Sequence, residues 1–479
     1  MNKQNLITIM TLAAMTLQAC TPTRVSDKIS LSIPSQWHHA PAGHESNNKT
    51  DLKEWWKGFN DPVLNGLIIK ALTANHDLRI AVGRVREANA MVTVAESTLY
   101  PSIDLFVSGG REKKIDRLIG VPSGQGIKLI TPTGNSITGG LAARWEIDVF
   151  GSRHLEAEGV AAQAAGAEVG SHAVQVGMLA QVATNYLELR GIQERTAILN
   201  KNIKVQRETL RALQAFFRAG LAKETDILRQ ESLLKGMESA LSKLNSKEST
   251  LIHRISVLLG EPPDQLESAA LAAKAMPQKL PPIPKRLPAN LLLQRPDLRL
   301  AQTEVSTAAA NLGVARAELF PKFVLSASGG FGAIAVGGFS SLAESVYALG
   351  SGLTAPIFNA GRIKAQITAA DARLDQVATK YEKTFLLALE DVENAYVLQT
   401  SALDQRDKLL QAEAASEKAY KSSDALYRRG AGDYLSVLNA QSSKLKFSDE
   451  RINAETAVRV SLVSLYRAFG GGWEVAHLN

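Results

Sequence analysis

Residues 297–330 read DLRLAQTEVSTAAANLGVARAELFPKFVLSASGG, and residues 77–110 read DLRIAVGRVREANAMVTVAESTLYPSIDLFVSGG. A shift of 220 positions lays Asp77, Leu78, Arg79, Ala81, Val85, Pro101, Gly109 and Gly110 on Asp297, Leu298, Arg299, Ala301, Val305, Pro321, Gly329 and Gly330. About 15 of the 34 positions are identical, far above chance for a helix-then-strand segment. Beyond it the offset becomes 210: Gly151, Tyr186, Gly220, Leu228 and Gly260 fall on Gly361, Tyr396, Gly430, Leu438 and Gly470. The first copy therefore carries about ten extra residues between Gly110 and Gly151, in what reads as a longer hairpin loop. Two copies of one plan argue for internal pseudo-symmetry and against a single catalytic domain.

Working outward, each copy opens with a helix, over 77–99 and 297–319, followed by a strand. In the first strand, about 102–110, Ile103, Leu105 and Val107 alternate with Asp104 and Ser108, with Phe106 the exception. The second, about 136–150, is the clearest: Ile137, Leu141, Ala143, Trp145, Ile147 and Val149 face one way, while Thr138, Arg144, Glu146 and Asp148 face the other. One face suits lipid and the other water, with Trp145 near one end, where an interfacial aromatic belongs. Strands about 322–332 and 345–358 repeat the pattern.

Long helices follow. From Gly151 no proline appears before Pro262, and the break reads at Ala219-Gly220-Leu221. The first helix is then ~68 residues, roughly 100 Å, and the second ~35, about 50 Å. The helix over 77–99 adds about 35 Å, so the two shorter helices stacked end to end match the long one. The second copy repeats this from Gly361, with its tip at Gly430-Ala431-Gly432 and a last helix over 434–469. The chain divides into a signal segment over 1–19, a tether over 20–60, the first repeat over 61–262, a proline-rich crossover over 263–290 and the second repeat over 291–479.

Composition excludes several classes. Among 479 residues aromatics are 6% and the net charge is +7, with acidic and basic residues interspersed, so nothing resembles a nucleic-acid surface. Lys3 and the apolar run over 6–17 form a signal segment too short for an ordinary membrane span, ending in Leu17-Gln18-Ala19-Cys20. This is similar to the lipobox of bacterial lipoproteins, in which the cysteine carries the lipid; Thr21, where an Asp would signal inner-membrane retention, favours the outer membrane. Cys20 is the one cysteine, which excludes internal disulfides and CxxC chemistry. His38, His39 and His44 are scattered in the tether and read as incidental, not as a metal site. Trp55 and Trp56 read as packing anchors rather than a ligand-stacking pair. His154 and Glu158 make half a metal motif on a charged helix face, and no phosphate loop is present, so no enzyme is expected. Seven Met residues without a cluster give no support to a copper-specific role.

The strands impose a further condition. Four strands with a lipid-facing side cannot close, since the smallest membrane barrels have about eight, and an open edge in a bilayer strands its backbone groups. Other copies of the chain must complete them. The helices are too polar to span a membrane and must project into an aqueous compartment. A shared barrel continued by long helices is a tube.

WWKGFNDPVLNGLI from Trp55, LLLQRPDLRLAQTEV from Leu291, ELFPKFVLSASGG from Glu318, APIFNAGRIKAQI from Ala355, YRRGAGDYLSVLNAQ from Tyr427 and LYRAFGGGW from Leu465 resemble the TolC-like outer-membrane channels of tripartite efflux pumps, in their lipidated, NodT-like branch. The resemblance covers nearly all the mature chain, with one departure: Gln294 stands where the family usually has an Arg. It implies a mainly α fold with a transmembrane β part, in which a homotrimer forms an α-barrel continued by a 12-stranded β-barrel. It also implies lipid on Cys20 as the one covalent group, no other cofactor, an outer-membrane location, and docking on a periplasmic adaptor protein served by an inner-membrane pump. Multidrug efflux is the implied role. In the family the tips of the hairpins close the tunnel, and the matching positions are Gly220 in the first tip and Tyr427, Arg428, Gly430 and Asp433 in the second. Two readings of Asp433 stand open: a ring of like charges around a symmetry axis, or the N-cap of the last helix. Arg428 and Arg429 read by default as solvated charges near a helix end. The alternative function is a periplasmic coiled-coil adaptor lipoprotein without a pore, which has no need of a lipid-facing alternation.

Overall fold

The computed structural model describes residues 33–40, 52–112, 118–119, 127–128, 134–263, 271–284, 295–336, 339–340 and 344–473. Cys20, His44 and Gln294 lie outside them. After a short 3-10 helix, Trp55–Phe59, come α1 (Pro62–Ala74), α2 (His76–Ser97), β1 (Ser102–Glu112), β2 (Leu118–Ile119), β3 (Ile127–Lys128), β4 (Gly134–Ile147), α3 (Ser152–Arg218) and α4 (Glu224–Leu258). The second half holds α5 (Pro296–Ala317), β5 (Lys322–Val336), β6 (Phe339–Ser340), β7 (Glu344–Thr354), α6 (Arg362–Arg428) and α7 (Tyr434–Ala468). The described elements thus follow one order twice, and α3 and α6 are each 67 residues long, α4 and α7 each 35. No described helix is long and apolar enough to cross a membrane. The residues cluster into two compact units, one over 86–165 and 303–379, the other over 30–85, 166–302 and 380–479, with residues 1–29 assigned to the first. Each unit draws on both repeats, so the duplication is not a division into two domains.

The first unit is built on the sheet. Its four long strands lie in the order β1-β4-β5-β7, all antiparallel, with the two-residue β6 also on β5. β2 and β3 pair with each other between β1 and β4, in the stretch that carries the extra residues of the first copy. β4 ends at Ile147 and β7 at Thr354, short of the expected 150 and 358. The Asp148 carboxylate turns to accept the His154 amide (2.8 Å) and touches its ring (2.8 Å), which starts α3. At β7, Pro356 has no amide to give to a ladder. His154, half of a metal motif in sequence terms, is engaged in this cap. The Trp145 indole donates to Leu99 O (2.9 Å), closing the loop after α2, and Phe150 stacks on Phe320 with ring centres 4.7 Å apart.

The seam between repeats is β4 on β5, where Gly140 faces Gly330. A Cβ on either would run into the carbonyl of the opposite glycine pair and lie 2.7 Å from the facing Cα. Only glycine lets these backbones approach so closely.

In the second unit, Trp55, Trp56, Phe59, Leu64, Ile68, Leu179, Tyr186, Ile255, Tyr396, Leu462, Tyr466 and Phe469 belong to one buried core. Trp55 stacks on Tyr466 at 5.3 Å, so the tryptophan pair does anchor the incoming chain. Asp61 caps α1 by accepting the Val63 and Leu64 amides (2.8 and 3.3 Å), with Pro62 at the first helical position, and it accepts Tyr186 Oη–H at 2.6 Å. His38 and His39 are clasps: their amides donate to the Glu393 carboxylate at 2.7 and 3.0 Å. Burial would raise the pKa of Glu393, but these bonds outweigh it and hold it below the usual range.

The expected end-to-end stacking of short helices has a specific joint. Asn75 Oδ1 accepts the Leu78 amide at the start of α2, while its Nδ2 donates to Leu258 O at the end of α4 (2.8 Å). The residue 220 positions on is Arg295, and it donates to Ala468 O at the end of α7 (2.9 Å) while gripping Asp297 and Asp391. One side chain in each copy joins the C-terminus of one helix to the N-terminus of the next, where both carry unpaired backbone groups.

The glycine seam makes a direct prediction. Gly140→Val is expected to separate β4 from β5 and abolish folded protein, whereas Gly329→Ala, with open space around its Cβ position, leaves the yield unchanged; circular dichroism and recovery of folded protein check both.

Candidate functional site: the two-faced sheet and the hairpin tips

Residues paired across antiparallel strands point to the same side, so the register sorts the sheet into two faces. On one lie Ile103, Leu105 and Val107 of β1, Leu141, Ala143, Trp145 and Ile147 of β4, Phe323, Leu325, Ala327 and Phe331 of β5, and Tyr347, Leu349 and Leu353 of β7. On the other lie Ser102, Asp104, Ser108, Thr138, Arg144, Glu146, Ser326, Ser328 and several glycines, with Phe106 and Val324 the large apolar exceptions among small Ala142 and Ala348. The apolar side is exposed: Leu105 is 75% accessible, Leu349 85% and Tyr347 86%. So continuous an uncovered apolar sheet face marks a surface made for an apolar medium. Its outer strands, β1 and β7, each pair on one side only among the described strands.

At the hairpin tips, Gly220 (φ 75°) and Gly430 (φ 72°) end α3 and α6 in the left-handed conformation. Leu221 N donates to Phe216 O (2.8 Å), and Ala431 N to Leu426 O (3.0 Å), the same closing bond in both copies. Asp433 accepts the Ser436 amide at 2.7 Å and so is the N-cap of α7. That bond and the Ser436 hydroxyl hold its pKa below the usual range. Arg428 pairs with Asp424 of its own helix (2.9 Å), in keeping with a solvated charge. The Tyr427 ring lies 5.4 Å from that of Tyr434 and packs on a cluster of Leu213, Tyr434, Val437 and Leu438.

A buried polar link of three residues ties the two hairpins together, and two of the three carry no local signal. Tyr434 Oη donates to Gln230 Oε1 (2.9 Å), and Gln230 Nε2 donates to Gln206 Oε1 (2.6 Å). Gln230 is fully buried. Burial, aided by Tyr427, Asp226 and Tyr420, pushes the Tyr434 phenol well up, so it remains a donor. Tyr434 stood in the quoted tip beside Asp433, but the two glutamines look like ordinary helical polar residues until α3 and α4 fold side by side. Farther along the helices, Arg195 grips Asp449 with two bonds (2.6 and 2.9 Å), and Arg451 pairs with Glu413 and Glu455 (2.7 and 2.6 Å), linking α3, α6 and α7.

Two outcomes follow. The Asp433 carboxylate has a lowered folded pKa, so its cap is complete above the unfolded value, near pH 4, and is lost as pH falls through the folded one. Hydrogen exchange of the first turn of α7 should therefore accelerate below about pH 4, and Asp433→Asn should remove that dependence while keeping the cap. Tyr434→Phe leaves the buried Gln230 Oε1 without its donor, at a local cost of roughly 1–3 kcal/mol, read as loss of exchange protection at the tips.

The sequence profile described as Outer membrane efflux protein matches residues 67–261 and 287–471, one segment in each repeat. The chain is 31% identical over 466 residues to the pyoverdine export outer membrane protein OpmQ of Pseudomonas aeruginosa, covering 96% of each. It is 30% identical over 422 residues to nodulation protein T of Rhizobium leguminosarum bv. trifolii, covering 86% of each. Among solved structures, the outer-membrane channel OprN superposes with a TM-score of 0.84 at 28% identity, over 94% of this chain and 99% of that one. With its duplicated helical hairpins, its two-faced sheet and a profile match across most of its length, the chain belongs to the outer membrane efflux protein family.

Proposed function

We propose that three copies of this chain form a channel in the outer membrane that is the outlet of a tripartite efflux pump. The observation that carries the reading is the four-stranded sheet, apolar on one exposed face and open at both edges. In a bilayer each unpaired edge group costs several kcal/mol, so the edges must meet other strands. Three chains supply twelve long strands, an even number within the range of closed membrane barrels. Its small, polar inner face would then line the pore, and the long polar hairpins would form the aqueous conduit. The likeness to OprN supports the same reading.

The conduit is passive and makes or breaks no bond in its cargo. A periplasmic adaptor protein docks on the helical part, and an inner-membrane pump supplies the driving force. Cys20 carries a diacylglycerol and an N-acyl chain that anchor the tether. The tips are the gate: Gly220 and Gly430 set the sharp turns, Tyr427 packs the second tip, and Arg428 and Asp433 present exposed charge. Three copies of Asp433 near one axis would repel one another and bind cations, while each still caps its own helix.

The decisive experiment is the mass of the detergent-extracted particle from the outer-membrane fraction, with chemical crosslinking to count chains. A heat-sensitive trimer is expected, and Cys20→Ala should lose metabolic palmitate labelling; a soluble or inner-membrane monomer would overturn the channel. For the gate, Asp433→Ala together with Arg428→Ala is expected to increase entry of a bulky, normally excluded antibiotic severalfold, and unchanged entry would remove these residues from that role.

A further inference from the structure

The internal repeat carries more than the fold, because its symmetry is kept residue by residue in the strand register. Ser102 faces Arg144 in β1–β4, and Lys322 faces Thr354 in β5–β7. Moving the first pair by 220 and 210 positions yields the second. Those two shifts can be applied to the one inter-repeat seam the chain contains, β4 on β5. Each seam contact then names two residues on the opposite outer edges, β7 and β1.

The glycine pair Gly140–Gly330 becomes Gly350 and Gly110. Glycine recurs at both positions although neither faces a glycine across β4 or β5: Gly350 lies opposite Ser326 and Gly110 opposite Ser136. The pair Ile147–Phe323, half-buried at the inner seam, becomes Ile357 and Ile103, which are 98% and 68% exposed. The helices behave alike. At the inner seam a Cβ on Gly313 would touch Leu155 at 2.9 Å, and one on Gly159 would touch Ala310 at 3.3 Å. Their counterparts are Thr93 with Ala365, and Ala90 with Ala369, all four exposed. The large-on-small pairing is kept with the sizes exchanged: Leu155 over Gly313 becomes Ala365 against Thr93. Backbone, strand side chains and helix side chains thus agree on what is missing, a second copy continuing the β4–β5 seam.

We infer that β7 of one copy pairs antiparallel with β1 of the next in the register of β4–β5, setting Gly350 opposite Gly110, Thr354 opposite Phe106 and Ile357 opposite Ile103, with Ala365 of α6 seated against Thr93 of α2. This deepens the channel reading and rests on it, but it fixes the register, which that reading leaves open. A slip by two residues would keep the apolar face outward while setting Gly350 opposite Ser108 or Glu112 instead of a glycine.

Cysteine pairs test it in intact outer membranes of cells making the full-length, lipidated chain. Adjacent pairs alternate between hydrogen-bonded and non-bonded sites, so Thr354→Cys with Phe106→Cys and Ala355→Cys with Leu105→Cys are both made. The controls are Thr354→Cys with Asp104→Cys or with Ser108→Cys, shifted by two. Mild oxidation and a non-reducing denaturing gel should show disulfide-linked chains in at least one in-register pair, with tenfold or greater excess over both controls. Dominant linkage in a shifted control, or no linkage while chemical crosslinking of the same membranes still shows a trimer, overturns the register and leaves the channel standing. Absence of any oligomer overturns both, and linkage to a different protein overturns the second copy as partner. Should the strand variants fail to reach the membrane, the helix pair decides: Ala365→Leu should lower the temperature at which the trimer dissociates, and adding Thr93→Gly, which recreates the inner Leu–Gly pair, should restore it beyond the effect of Thr93→Gly alone. Additive effects of the two would sink the inference.

Discussion

Backbone hydrogen bonding at the rim of a four-stranded sheet governs what this chain can be. A sheet in water tolerates an open edge because solvent pairs with it; a sheet whose face is apolar and exposed has no such recourse once placed in hydrocarbon. Leu105, Leu141, Phe331 and Leu349 make the face unsuited to water, and the order β1-β4-β5-β7 leaves an edge on each side. In the outer membrane, where this family works, such open edges demand further strands, and the proposed three-chain channel is one way to supply them.

Duplication solves the construction problem economically. The same two shifts relate β1–β4 to β5–β7, and they relate Asn75 on Leu258 to Arg295 on Ala468, where a neutral amide and a guanidinium perform one task. The chemistry was free to change because the requirement is only a donor aimed at the last carbonyls of one helix and a group that steadies the first turn of the next. Where the requirement is steric, identity persists: Gly151, Gly220 and Gly260 and their mates Gly361, Gly430 and Gly470 all hold φ between 71° and 83°, which side chains with a Cβ rarely adopt.

The tips carry a different balance. Their outer surface is charged and solvated, with Asp433 spent on a helix cap and Arg428 on its own Asp424. Beneath it lies a buried polar link, Tyr434 to Gln230 to Gln206, in a cluster otherwise of Leu and Val. A link of this sort is directional and all-or-none, since half of it leaves a buried amide unpaired. An apolar contact in its place would tolerate sliding of one hairpin on the other. The ionic contacts of Arg195 and Arg451 do the same for α3, α6 and α7 at partly exposed positions, where each contributes less.

Much of this was legible from the chain alone. The repeat, the helix ends to within about two residues, the hairpin glycines, the alternation of the strands and the anchoring role of Trp55 and Trp56 are local or periodic properties, written in neighbouring residues. Asp433 stands beside a helix start, a position that allows both a cap and a charge ring, and the bond from the Ser436 amide makes it the cap. β4 and β7 ran shorter than their apolar pattern because Asp148 and Pro356 act on the backbone, which side-chain periodicity does not register. The Gly140–Gly330 crossing, the Asn75 and Arg295 joints and the Tyr434–Gln230–Gln206 link were decided by tertiary structure. Each depends on which residue of one element stands opposite which residue of another, hundreds of positions away, and register of that kind is set by packing the whole sheet or helix pair at once rather than by any segment's own preference. The sequence by itself therefore determined the elements, their duplication and the medium each face demands; the fold determined which of them touch.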